Sequence, residues 1–192
     1  MAAKDMMRMF EGESIANIDE FVFKMKSEDA NNLRIAKTMY IIYFVGIFLY
    51  GGLFVLSIVS REGFYAALSW FFIMLAFMVF AYIFWMSKNI YKKVDYSVSV
   101  IEMLRQAKDR YRLWHPMLIL AIAGFYLVVF GASITMTSHL ESTWTIWERL
   151  GIGNLFFTPV FLISFFFGWR RWKKRSKPIR DYASEVLKDA EQ

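Results

Sequence analysis

The sequence has no cysteine, only two histidines and only three prolines among its 192 residues. The absence of cysteine excludes disulfides, thiolate catalysis and cysteine-ligated metal sites. Charge is also missing from four long stretches, which contain no Asp, Glu, Lys, Arg or His: residues 39–59, 66–86, 117–136 and 152–169. A helix needs about 20 apolar residues to cross the hydrocarbon core of a bilayer. Each stretch is therefore predicted to be a transmembrane helix.

Hydrophobic residues make up 57% of the chain and charged residues 21%, whereas soluble domains average about 45–50% apolar residues. We predict an all-α integral membrane protein with four transmembrane helices as two hairpins, together with amphipathic cytoplasmic helices. The predicted segments are a cytoplasmic N-terminal amphipathic segment (1–38), a first transmembrane hairpin (39–86), a cytoplasmic amphipathic helix loop (87–116), a second transmembrane hairpin (117–169) and a cytoplasmic basic tail helix (170–192).

The distribution of Lys and Arg predicts the orientation of the chain. The N-terminal segment, the middle loop and the tail together carry 21 of these cations, whereas the other two loops carry only Arg61 and Arg149. Cations are retained on the cytoplasmic side of a membrane. Both termini and the middle loop are therefore expected in the cytoplasm, with the protein in a bacterial inner membrane or a plasma membrane.

The middle loop contains the best-specified amphipathic helix. Ser99 and Glu102 form an S-x-x-E capping-box pattern. Apolar residues then recur at spacings of three and four, which places them on one helical face. Lipid, the other amphipathic helices or a partner protein could cover this face, and all three need the same periodicity. The predicted partner-binding residues are Val100, Leu104, Ala107, Tyr111 and Trp114.

Two further cytoplasmic helices are predicted from similar patterns. One carries apolar residues at Ile15, Ile18, Val22 and Met25, and a new helix leading into the first span is expected to begin at Ser27. The other is expected to begin at Pro178 in the tail. The tail segment "EVLKDAE" (185–191) resembles the middle-loop segment "EMLRQAK" (102–108). This similarity, at matched positions after the two hairpins, suggests an internal repeat.

A dense basic cluster follows the fourth span directly, in "FGWRRWKKRSKPIR" (167–180). Cations placed there fix topology, and they attract anionic lipid headgroups by about 1 kcal/mol each. Nucleic-acid binding is not expected, because no nucleic-acid-binding module accompanies the cluster. The predicted lipid-binding residues are Arg170, Arg171, Lys173, Lys174 and Arg175.

Within the spans, small residues predict close helix packing or a homo-oligomer, most clearly Ala121, Gly124, Gly131 and Thr135 in the third span. Pro159 is expected to kink the fourth span. Asn154 and Thr158 lie four residues apart on one face beside it, so this region is a candidate cavity. The lack of charge within the spans disfavours ion-coupled transport.

No catalytic motif is recognisable in the sequence. His115 and His139 flank the third span at opposite ends, so they cannot share a metal ion. We therefore expect a non-enzymatic protein without a cofactor, which acts as a membrane anchor, scaffold or regulatory subunit through its cytoplasmic helices. Its expected partners are anionic lipids and a membrane protein or a second copy of itself. The alternative is an oligomeric channel or a small neutral-solute transporter, and a lipid-active enzyme lacks a catalytic set.

Overall fold

A computed structural model describes residues 18–112, 116–138 and 145–190. This part of the chain forms five helices: α1 (Ile18–Val59), α2 (Phe64–Lys92), α3 (Val100–Arg110), α4 (Pro116–Ser138) and α5 (Ile146–Ala190). Four of them, α1, α2, α4 and α5, are long and apolar enough to cross a membrane. The all-helical class and the four candidate spans predicted from the sequence are thus confirmed.

The most apolar windows of the four long helices present their side chains outward. Only 11% of the residues in the α1 window and 6% of those in the α5 window are buried within the chain. Exposed side chains there include Phe48, Val59 and Leu155. So much exposed apolar surface is unfavourable in water, whereas hydrocarbon tails solvate it without cost. The surface of these helices therefore fits a lipid environment.

The chain divides into two compact units. The apolar unit comprises residues 35–88 and 116–164. The polar unit comprises the described residues of 1–34, 89–115 and 165–192. Each unit combines segments that lie far apart in the sequence.

Within the apolar unit, α2 and α4 approach closely where α4 has small residues. The Ser69 hydroxyl donates a 2.8 Å hydrogen bond to the Gly131 carbonyl and also contacts the Thr135 hydroxyl. A Cβ atom at position 131 would lie 2.7 Å from the Ser69 carbonyl oxygen, so only glycine fits there. Gly124 is likewise packed against Phe80. The small residues singled out in the third span thus lie mostly at this helix contact.

Aromatic rings join the remaining helices of the apolar unit. Tyr43 of α1 stacks on Phe84 of α2, with ring centroids 5.5 Å apart, and Phe54 lies 5.7 Å from Phe71. Between α4 and α5, Phe125 stacks on Phe161 at 4.2 Å. The residue numbers in the two pairs between α1 and α2 rise along α1 and fall along α2, so these two helices run antiparallel.

Two predicted helix starts are wrong. Ser27 does not begin a helix, because α1 is continuous from Ile18 to Val59. Pro178 does not begin one either, because it lies inside α5. Both patterns are typical of helix starts, but here the residues around them pack into the polar unit. Glu28, Asp29 and Ile179 make tertiary contacts there, and each helix continues without a break.

Candidate functional site

The polar unit has a closed hydrophobic core built from α1, α3 and α5. Phe21 and Met25 of α1 are fully buried, and Phe21 stacks on Tyr182 of α5 with ring centroids 5.1 Å apart. The core thus joins three segments that the spans separate in the sequence. Its buried members are Phe21, Met25, Met103, Leu104, Ala107, Tyr111, Ile179, Ala183 and Leu187.

This core occupies the α3 face that the sequence offered to a partner. Leu104, Ala107 and Tyr111 are buried in it, whereas Val100 is exposed and Trp114 lies outside the described residues. The side chains of the first three are therefore covered within the chain. A partner could reach only the opposite side of α3, where Ile101 and Arg105 are exposed.

The Ser99 half of the predicted capping box is present at the start of α3. Ser99 is the N-cap residue, and its hydroxyl accepts a 3.4 Å hydrogen bond from the Glu102 amide. Glu102 in turn accepts a 3.0 Å hydrogen bond from Gln106 one turn later. These contacts fix the start of the helix and hence the register of its buried face.

Asp29 of α1 is the centre of a buried polar cluster beside this core. Its carboxylate accepts hydrogen bonds from the Tyr111 hydroxyl at 2.6 Å and from the Tyr96 hydroxyl at 2.9 Å. The Arg110 guanidinium lies 3.1 Å from the same carboxylate. Three groups from α3 and the residues on either side of it therefore converge on one side chain of α1.

A second link joins α1 and α3 to α5. The Glu28 carboxylate lies 3.7 Å from the guanidinium of Arg175 and is itself almost completely buried. Next to it, the indole N–H of Trp172 donates a 3.0 Å hydrogen bond to the Tyr111 carbonyl. Tyr111 thus contacts α1 through its hydroxyl and α5 through its backbone.

The cluster lies outside the four uncharged stretches, and burial is the largest influence on the pKa values of its acids. Burial raises the pKa of Asp29 above its ordinary 3.8, although Arg110 and the two tyrosine hydroxyls act in the opposite direction. Burial also raises the pKa of Glu28 above 4.5, against the effect of Arg175. Burial and the nearby Asp29 charge raise the pKa of Tyr111 and of Tyr96. Both phenols therefore keep their protons at neutral pH and remain hydrogen-bond donors.

The contacts of this cluster connect α1, α3 and α5. The Tyr96 and Tyr111 hydroxyls and the Trp172 indole donate to protein acceptors, whereas Nε of Arg110 is buried without a hydrogen-bond partner among the described residues. Among the described residues, no group of three or more Asp, Glu or His side chains could hold a metal ion. Charge-assisted hydrogen bonds to Asp29, which are stronger than neutral ones, join α1 to α3 and its flanking residues. The Trp172 hydrogen bond and the Glu28–Arg175 ion pair add α5.

The five predicted lipid-binding cations divide between two faces of α5. Arg175 points to Glu28, and the charge of Arg171 also lowers the pKa of Glu28. Arg170, Lys173 and Lys174 are exposed. Lys173 lies over the ring of Trp169, with its amino group 5.5 Å from the ring centroid.

The candidate cavity in the fourth span gains little from the structure. The Asn154 side chain donates a 2.9 Å hydrogen bond to the Leu150 carbonyl of its own helix. Asn154 and Thr158 are partly buried, Pro159 is exposed, and α5 continues as a helix through all three. His115 and His139 lie outside the described residues.

Sequence reasoning missed the central residues of the polar cluster. Glu28 and Asp29 directly follow Ser27, and acids at that position are typical of a helix start, whereas burial of an acid can be recognised only from its distant partners. The capping box at the start of α5 was also missed, although its signal is local. Thr145 and Glu148 form a T-x-x-E pattern, and the Thr145 amide donates to Glu148 at 2.7 Å.

The chain matches no protein-family model, no curated protein and no solved structure.

Proposed function

We propose that this protein is a non-enzymatic, polytopic membrane anchor, scaffold or regulatory subunit that presents its polar unit to a partner. The observation that carries the proposal is the closed core and buried ion-pair cluster of that unit. Asp29, Arg110 and Tyr111 join α1 to the α3 region, and Trp172 joins α5 to Tyr111, so three segments separated by the candidate spans are held together there. Such a connection creates a preformed surface, which lowers the entropic cost of binding.

The surface offered to a partner is the exposed side of α3. Ile101 remains 52% exposed although the same helix buries Leu104. Arg105 and Lys108 lie on the exposed surface of the same helix. Arg105 also pairs with Glu102 at 3.6 Å, and Asp109 is exposed nearby. An exposed isoleucine among charges of both signs suits an amphipathic partner helix with charged edges.

The proposal includes a topology. The spans form two hairpins, the polar unit is cytoplasmic, and α3 and the helical segments flanking the spans are amphipathic. The ring contacts between α1 and α2 support the first hairpin, because their order is antiparallel. The concentration of cations in the polar-unit segments supports the cytoplasmic assignment.

Site-specific photo-crosslinking in native membranes tests the partner. A photoreactive residue at Ile101 is expected to give a discrete adduct with a second polypeptide. The matched control position is Lys188, which is exposed in the same unit but on α5. If Ile101 crosslinks only to lipid, or gives the same products as Lys188, the exposed side of α3 is not a partner surface.

An oligomeric channel or small neutral-solute transporter is the second candidate function, with Asn154 and Thr158 as its polar groups. The hydrogen bond of Asn154 to its own helix gives this candidate less support. Reconstitution in liposomes tests it directly. A channel predicts solute flux that changes in the Asn154→Leu variant, and the anchor predicts none.

A further inference from the structure

We infer that the outward face of α5 after the fourth span is a binding site for an anionic phospholipid. This inference does not depend on the partner proposed above. It depends on the exposed side chains between Phe166 and Lys177 and on the way α5 divides them between two faces.

The inner face of this part of α5 is fixed by contacts within the polar unit. Trp172 donates to the Tyr111 carbonyl, Arg175 pairs with Glu28, and Ile179 is buried in the core. These positions recur at spacings of three and four, so they share one face of the helix. The opposite face is consequently turned away from the polar unit.

The outward face is apolar at one end and basic at the other. Phe166, Arg170, Lys173, Lys174 and Lys177 recur at spacings of three and four, and therefore lie in line opposite the buried face. Phe166, Arg170 and Lys173 are exposed. The rise of a helix places Phe166 and Lys173 about 10 Å apart along the axis.

Two ring contacts connect the apolar end to the basic end. The rings of Phe166 and Trp169 lie 6.2 Å apart, and the Lys173 amino group lies 5.5 Å from the centroid of Trp169. Tryptophan is favoured at the headgroup level of membranes because its ring is amphipathic. A lipid lying along this face would contact Phe166 with its acyl chain and the cations with its phosphate.

The charge around the face is complementary to an anion. No acidic residue occurs in the sequence between Glu148 and Asp181. Asp181 pairs with Lys177 and with Arg180, so its charge limits the site at that end. Glu28 faces Arg175 on the other side of the helix. The phosphate is therefore assigned to Arg170 and Lys173, with Lys174 adjacent.

A lipid titration of the full chain in uncharged detergent tests the assignment, with bound lipid counted by native mass spectrometry. Phosphatidylglycerol is expected to bind more tightly than phosphatidylcholine. In the variant R170Q/K173Q its apparent Kd should rise about 30-fold, from about fivefold for each cation near a membrane surface. The matched control K92Q/K93Q removes two exposed cations from the end of α2, and its Kd should change far less.

Three outcomes would overturn the inference. An equal rise in Kd for both variants would indicate general electrostatic attraction rather than a site. Equal binding of both lipids would exclude headgroup recognition. Glycerophosphoglycerol, which has no acyl chains, binding as tightly as the lipid would make the ligand a soluble phosphate. The swap R170K/K173R keeps both charges, so it should bind like the unchanged protein, and circular dichroism confirms that the variants remain helical.

Discussion

Asp29 in α1 and Arg110 at the end of α3 form an ion pair with an N–O distance of 3.1 Å, and their side chains are only 2% and 8% exposed. Two tyrosine hydroxyls also donate hydrogen bonds to the Asp29 carboxylate. Buried pairs of this kind add little net stability, whereas loss of one partner leaves an uncompensated charge. The pair therefore favours correct assembly of the polar unit, because an arrangement that separated the two residues would leave a charge uncompensated.

Arg110→Met should destabilise the polar unit strongly, because Asp29 would remain buried without its cation. We expect the free energy of unfolding to fall by about 3 kcal/mol at neutral pH. Adding Asp29→Asn should recover most of this loss, since the remaining group is neutral and still accepts hydrogen bonds. Chemical unfolding in mild detergent, followed by tryptophan fluorescence, measures both effects. An additive or larger loss in the double variant would show that the two residues do not act as a pair.

The stability of the polar unit should increase as the pH falls from 7 towards 5. Burial raises the pKa of Asp29 and Glu28 in the folded chain above 3.8 and 4.5, so the folded state binds more protons than the unfolded state in this range. Asp29 faces Arg110, Tyr96 and Tyr111, while Glu28 faces Arg175, Arg171 and Asn31.

Measurement of unfolding free energy at several pH values checks this direction. The variant Asp29→Asn should have a smaller pH slope, because one of the two groups no longer titrates. Asp19→Asn is the control, since Asp19 is exposed at the start of α1. Stability that falls on acidification would mean that the ion pairs outweigh the effect of burial.

Gly131→Ala should separate α2 from α4 and destabilise the apolar unit. The new methyl group would lie 2.7 Å from the Ser69 carbonyl oxygen, which is backbone and cannot rotate away. Overpacking of this kind costs about 1–3 kcal/mol. Gly52→Ala is the matched control, because nothing lies within 4 Å of its new methyl group and alanine favours a helix. The midpoint of thermal unfolding in detergent should therefore fall for Gly131→Ala and not for Gly52→Ala.

The absence of cysteine makes the topology directly measurable. Ser97→Cys places a thiol in the exposed segment between α2 and α3, and Glu62→Cys places one in the turn between α1 and α2. A membrane-impermeant maleimide added to intact cells should label E62C, while S97C should react only after the membrane is opened. The reverse labelling pattern would invert the orientation proposed here.

The four spans were predictable because the surrounding lipid alone determines which composition and length a span needs. Residues 39–59 or 117–136 need only be uncharged and long enough, and no knowledge of their partners is required. The start of α3 was predictable for a related reason, since Ser99 and Glu102 interact within one helical turn.

The polar cluster was not predictable, because its signals depend on distant residues. Ser27, Glu28 and Asp29 have the composition of a helix start, and only Arg110 and Arg175 reveal that the two acids are buried. The apparent repeat is also incomplete: Leu104 and Leu187 both enter the core, whereas Ala107 is buried and its counterpart Ala190 is exposed. A short sequence match therefore does not predict that two segments have the same tertiary environment.

The composition of the hydrophobic core also dictates an order of events during synthesis. Ile179, Ala183 and Leu187 leave the ribosome after every membrane-spanning stretch, yet they cover Phe21 and Leu104 in the finished molecule. In the topology proposed above, the apolar side chains of the earlier segments would remain uncovered until then. The polar unit can therefore complete its core only after α5 has been synthesised and has docked.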